Sequence, residues 1–83
     1  MYSLYIIYSK KLDKYYTGSS DDPAKRLQLH NWKRSPSTKA GIPWELVYSE
    51  KFSTRSEAVK QEYEIKRKKS RKYIEFLINS SVG

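Results

Sequence analysis

The chain has 83 residues, room for one domain whose expected core is a single sheet face with a few helices laid against it. Seventeen Lys and Arg against nine Asp and Glu give a formal charge of +8, which favours a polyanionic partner over a merely soluble Lys-rich surface or a membrane surface. The absence of cysteine excludes disulfides, thiolate zinc sites and thiol nucleophiles, and it points to a reducing compartment.

The first element, Tyr2 to Tyr8, is rich in aromatic and β-branched residues. It is too short to span a bilayer and lacks the basic leader of a signal peptide, so it reads as a buried strand in a cytoplasmic protein. Tyr15-Tyr16-Thr17-Gly18 reads as its hairpin partner, with Asp13-Lys14 at the tip. If the connecting loop has an even number of residues, Tyr5 and Tyr16 share one sheet face. Asp22-Pro23 is an N-cap followed by a proline suited to the first helical turn, which predicts a helix reaching about Trp32. Lys33 to Pro43 reads as a basic loop able to move onto a ligand. Trp44 to Phe52 alternates as a third strand, with Leu46, Tyr48 and Glu50 expected on one face. Thr54-Arg55-Ser56-Glu57 is a capping box opening a second helix to about Lys69, and Ser70 caps a third with the stripe Ile74, Leu77 and Ile78. The expected class is α+β, a small three-stranded antiparallel sheet flanked by helices in the order β-β-α-β-α-α. It forms one domain over residues 1–79, with 80–83 a frayed tail.

Several residues suit chemistry as well as they suit packing. Tyr5 and Tyr16 are either ordinary core phenols or a pair presented to a ligand. Gly18 permits close approach of a backbone or a phosphate, or is simply a turn residue. Arg26 and His30 stack four apart on the first helix, either as a solvated face or as a phosphate fork beside a proton acceptor. Glu62 falls on the core-facing stripe of Ala58 and Ile65, where a carboxylate needs a cation. Lys66, four residues on, is one candidate cation, and a divalent metal is the other. Val59 and Tyr63 define a rival stripe. The basic run from Lys66 to Lys72 is either a backbone-binding patch or a solvated helix face.

The order and spacing of these pieces resemble the GIY-YIG nuclease family. Ser3-Leu4-Tyr5, with Tyr16-Thr17-Gly18 following so that the two tyrosines stand eleven residues apart, resembles the paired motifs that name it. Arg26-Leu27-Gln28-Leu29-His30-Asn31 resembles its arginine helix and Ala58 to Lys66 its glutamate helix. The Pro43 to Tyr48 strand is similar to that of small stand-alone bacterial members. Ser3 replaces the motif glycine, and Leu4 and Thr17 replace isoleucines, positions that chiefly shape the strands.

The resemblance implies hydrolysis of a DNA phosphodiester with one Mg²⁺ or Mn²⁺ held by Glu62. Catalytic positions would be Tyr5, Tyr16, Arg26, His30 and Glu62. Arg26 would neutralise developing phosphoryl charge, while Tyr5, Tyr16 or His30 would orient or deprotonate the attacking water. The nucleic-acid contacts expected from the basic residues are Lys33, Arg34, Lys39, Lys66, Arg67, Lys69, Arg71 and Lys72. The expected role is a structure- or strand-selective endonuclease of DNA repair, recombination or processing, cytoplasmic and nucleoid-associated when bound. RNA is an alternative substrate, and a protein partner could supply specificity. The competing readings are a non-catalytic nucleic-acid-binding module and a basic scaffold contacting an acidic protein.

Overall fold

The computed structural model describes residues 1–32 and 38–80. Strands β1 (Tyr2–Ser9), β2 (Lys14–Ser20) and β3 (Trp44–Phe52) and helices α1 (Pro23–Asn31), α2 (Arg55–Lys68) and α3 (Arg71–Ser80) follow the expected β-β-α-β-α-α order, with a 3-10 turn at Lys39–Gly41 before β3. The sheet is antiparallel throughout, ordered β2-β1-β3, so β1 is the central strand.

The four-residue loop Lys10–Asp13 makes the hairpin, and Lys14 already opens β2. Its even length sets Tyr5 opposite Gly18 and Ile7 opposite Tyr16, placing Tyr5 and Tyr16 on one face. Asp13 takes the left-handed conformation, φ 52°, and accepts three hydrogen bonds from two residues. Tyr8 donates to its Oδ1 at 2.6 Å, and Arg71 donates to its Oδ1 at 2.7 Å and to its carbonyl at 3.0 Å. These contacts tie the hairpin tip to the start of α3.

Helix ends follow the sequence signals. Asp22 accepts from Lys25 N at 3.2 Å and Thr54 from Glu57 N at 3.3 Å, while Ser70 Oγ accepts from Tyr73 N at 3.2 Å. Lys69 closes α2 in a left-handed conformation, φ 48°. Helix α3 continues through Ser80, whose hydroxyl donates to Leu77 O at 3.0 Å.

Two expectations are corrected. The core is not confined to one sheet face. Leu4 and Ile6 pack with Ile65 of α2 and with Tyr73, Ile74 and Leu77 of α3, whereas Tyr5, Ile7 and Trp44 pack with Leu27 on the α1 side. The central strand carries Leu4 to Ile7 as one apolar run and therefore buries both its faces. Nor do Leu46 and Tyr48 share a face. Ile6 pairs with Tyr48 but Ile7 pairs with Leu46, a bulge that leaves Val47 as the extra residue. Val47 joins the α2–α3 side with Tyr48, and Leu46 goes to the other.

Candidate active site

The hydroxyl of Tyr5 is the centre of the site. Its ring is 1% exposed and lies across Gly18, where a Cβ would stand 2.6 Å from Tyr5 Oη and 2.7 Å from Cζ. The close approach that Gly18 permits is thus taken up by a tyrosine ring rather than by a backbone or a phosphate. The buried hydroxyl lies 3.0 Å from His30 Nε2, and His30 Nδ1 lies 2.9 Å from Thr38 Oγ1. Tyr16 turns its ring edge-on to His30, with centroids 5.2 Å apart.

Charge gathers on the same phenol. Burial raises the pKa of Tyr5, with the Tyr16 phenol and the Glu62 carboxylate adding to it and the nearby Arg26 guanidinium opposing it. Tyr5 in turn raises the pKa of Arg26, against the effect of that side chain's partial burial. Burial and Arg26 together lower the pKa of His30. At neutral pH the site therefore holds a protonated phenol, a cationic guanidinium and a neutral imidazole.

The His30 shift has a consequence for stability. The chain has one histidine, with an ordinary value of 6.5. Below that pH the unfolded chain takes up a proton that the native imidazole refuses, so the unfolded state binds more protons and stability falls as pH falls. We expect the melting temperature to drop between about pH 7 and pH 5, and to drop less steeply in His30→Gln. Parallel melting curves for the two proteins over that range would contradict this assignment.

Glu62 approaches from the opposite layer. Ala58 and Ile65 of its helix are buried and Tyr63 is exposed, so the stripe containing Glu62 is the one turned inward. Ser19 donates to Glu62 Oε1 at 2.8 Å, and Lys66 donates to Oε2 at 2.7 Å. Ser19 pairs with Leu4 and so faces the α2 layer, yet Lys66 Nζ lies 5.7 Å from the ring centroid of Tyr16 on the other face. The Glu62–Lys66 pair accordingly sits at the open edge of β2, where the two layers meet. The carboxylate is 19% exposed. Burial works against the charge on Lys66, but Glu62, with Tyr16 and Tyr5, holds its pKa above the ordinary lysine value.

The structure brings Tyr5, Tyr16, Arg26, His30 and Glu62 into one neighbourhood, but it does not turn the basic residues into a uniform patch. Lys66 is paired with Glu62, Arg67 with Glu64 at 2.7 Å, and Arg71 with both Asp13 and Glu75. Lys39, Lys69 and Lys72 are exposed and have no carboxylate partner among the described residues. Lys66, Lys69 and Arg71 line a groove of about 360 Å³ that runs along β2 past Tyr16. Lys33 and Arg34 lie outside the described residues.

Three supporting residues escaped the sequence reading. Thr38 is fully buried, touches His30 through its hydroxyl and accepts from Trp44 Nε1 through its carbonyl at 2.6 Å. The Asn31 side chain accepts from Trp44 N at 2.7 Å and donates to Trp44 O at 3.1 Å, fastening α1 to β3. Ser19 anchors Glu62. Each acts across a distance in sequence that no local pattern encodes, although Asn31 does stand beside His30.

The oxygen donors here suit a hard divalent ion. Glu62 is a lone carboxylate with one hydroxyl beside it, and no group of three or more acidic or histidine residues that could hold a metal exists among the described residues. A site with so few protein ligands fits a divalent ion that keeps much of its shell as water and phosphate oxygen. Among the described residues no helix is long and apolar enough to cross a membrane.

Comparison with known proteins identifies the family. Residues 1–74 match the GIY-YIG catalytic domain. UPF0213 protein YazA of Bacillus subtilis is 42% identical over 74 residues, a match covering 84% of this chain and 75% of YazA. A UPF0213 protein of Bacillus pumilus is 47% identical over 64 residues, covering 72% of this chain and 65% of that protein. UPF0213 protein SSP2268 of Staphylococcus saprophyticus is 50% identical over 52 residues, covering 61% of this chain and 63% of that protein. The chain thus spans less than two thirds of the length of the last two. No solved structure gives a significant match. With a family match over most of its length, the chain belongs to the GIY-YIG catalytic-domain family of nucleases.

Proposed function

We propose that the protein is a metal-dependent endonuclease that hydrolyses DNA phosphodiesters. The observation that carries this reading is the convergence of His30, Arg26 and the charge of Glu62 on the single buried hydroxyl of Tyr5. A nucleic-acid-binding surface needs cations, but it has no use for a buried phenol–imidazole pair with a carboxylate beside it.

Tyr5 hands its proton to the neutral Nε2 of His30 while its oxygen accepts one from the attacking water. This requires the tautomer with hydrogen on Nδ1, which Thr38 Oγ1 accepts. The raised pKa keeps Tyr5 protonated at rest, and because it gains the water's proton as it passes its own to His30, no free phenolate has to form. The water oxygen bonds to phosphorus, the P–O3′ bond breaks, and the products are a 5′-phosphate and a 3′-hydroxyl protonated from solvent. Arg26 presents its two-donor fork to the non-bridging oxygens as charge builds on them. Tyr16, beside His30 and Lys66, orients the water or the phosphate. Glu62, with Ser19, would hold Mg²⁺ or Mn²⁺, which when bound supplies a Lewis acid for the phosphoryl and departing 3′ oxygens. Lys39, Lys69 and Lys72, with Lys33 and Arg34, would contact the nucleic-acid backbone. We place the enzyme in the cytoplasm, acting on DNA in repair, recombination or processing.

The test is cleavage of labelled single-stranded, duplex, flap and branched DNA with Mg²⁺ or Mn²⁺, the wild type beside Glu62→Ala. Cutting of at least one substrate that disappears in the variant is expected. The ion pair that occupies Glu62 favours one second reading, a non-catalytic nucleic-acid-binding module. Salt-sensitive binding of the same DNAs by both proteins, without cutting by either, would establish that reading instead.

A further inference from the structure

Both oxygens of the Glu62 carboxylate are occupied in this fold. Ser19 donates to Oε1 at 2.8 Å and the Lys66 ammonium sits 2.7 Å from Oε2. Lys66 is half exposed, but its spacing favours the contact, since residues four apart on a helix face each other and a glutamate preceding a lysine is the favoured order. The carboxylate is mostly buried, and the ammonium rests against Tyr16, 5.7 Å from the ring centroid, so the cation is held from two sides. An ammonium and a divalent ion cannot share one carboxylate oxygen without strong repulsion.

We propose that Lys66 is the resident cation of the Glu62 site, a built-in competitor that a divalent metal must displace in order to bind. This rests on the reading of Glu62 as the metal ligand and assigns a regulator to it. The displaced side chain has somewhere to go. Lys66 also lines the groove beside β2, together with Lys69 and Arg71, and its long stem can swing the ammonium off the carboxylate into that space. Metal affinity in the free protein is then set by the contest between two cations, and it is weaker than the carboxylate alone would give.

The experiment is a titration of the free protein with Mn²⁺, following unbound Mn²⁺ by electron paramagnetic resonance, with no DNA and no activity readout. The proteins are the wild type, Lys66→Met, Lys66→Gln, Lys66→Arg and the double variant Glu62→Gln/Lys66→Met, each checked for cooperative thermal unfolding. Removing the charge should tighten Mn²⁺ binding on the order of tenfold in both Lys66→Met and Lys66→Gln. Lys66→Arg, which keeps a cation, should stay weak, and the double variant should lose the gain. Having two uncharged variants guards against a packing defect in either one. Equal affinity in wild type and uncharged variants, abolished in the double variant, would overturn the competition and leave Glu62 standing as the metal ligand. Absence of Glu62-dependent Mn²⁺ binding in every protein would overturn the metal reading and this proposal with it.

Discussion

Arg26→Ala is expected to slow DNA cleavage about a thousandfold or more while changing unfolding free energy by no more than about 0.5 kcal/mol. The asymmetry follows from where the residue sits. Arg26 is exposed on α1 and belongs to neither core cluster, so removing it leaves no cavity and no unsatisfied buried partner. Its guanidinium nevertheless stands beside the Tyr5 hydroxyl, where it opposes the rise in the phenol's pKa. Without it, non-bridging oxygens gain charge in the transition state with no donor to meet them, and Tyr5 becomes harder to deprotonate. Arg26→Lys should recover only part of the rate, because an ammonium cannot offer two parallel donors. Single-turnover cleavage beside thermal unfolding separates the two quantities. A variant that cuts within tenfold of wild type would remove Arg26 from the reaction.

Gly18→Ala is expected to cost both stability and rate. The added methyl would stand 2.6 Å from Tyr5 Oη and 2.7 Å from Cζ, closer than Cβ atoms come to their neighbours, and a tight 3.1 Å from Cε2. The Tyr5 ring cannot simply turn aside. It is 1% exposed, packed with Ile7 and Trp44, and its hydroxyl is held by His30. Either the ring shifts and the Tyr5–His30 hydrogen bond breaks, or β1 and β2 part locally. Overpacking of this kind costs roughly 1–3 kcal/mol. Misplacing the proton-relay hydroxyl by about 1 Å costs on the order of a hundredfold in rate. Chemical denaturation and cleavage kinetics on the same preparation test both. A Gly18→Ala protein with wild-type stability and rate would mean that the close approach is relieved at no expense.

Much of the architecture was legible because its signals are local. Asp22, Thr54 and Ser70 each cap the helix they precede, and hairpin parity, given the even loop the structure has, puts Tyr5 and Tyr16 on one face. The inward stripe of α2 pointed to Glu62 as a carboxylate needing a cation, and the structure supplies Lys66. What could not be read depends on contacts made across the chain. No pattern within β3 announces the bulge, because it is set by pairing with β1. The two-sided core was missed because the continuous apolar run in β1 fits burial on both faces only once α1 is known to lie opposite α2 and α3. Thr38 and Asn31 look like loop and helix-end residues until His30 and Trp44 are placed beside them.

The bulge at Val47 acts as a phase shift in a two-beat pattern. Before it, Trp44 and Leu46 keep time with Tyr5 and Ile7 on the side covered by α1; after it, Tyr48 and Phe52 keep time with Leu4 and Ile6 on the side held by α2 and α3. One strand therefore serves two masters, and each half can vary its side chains under separate constraints. The arrangement is tolerant of substitution but not of length. Losing or gaining a single residue in β3 would put its two halves back in step, sending either Trp44 away from the tyrosine pair or Tyr48 and Phe52 away from the structural core.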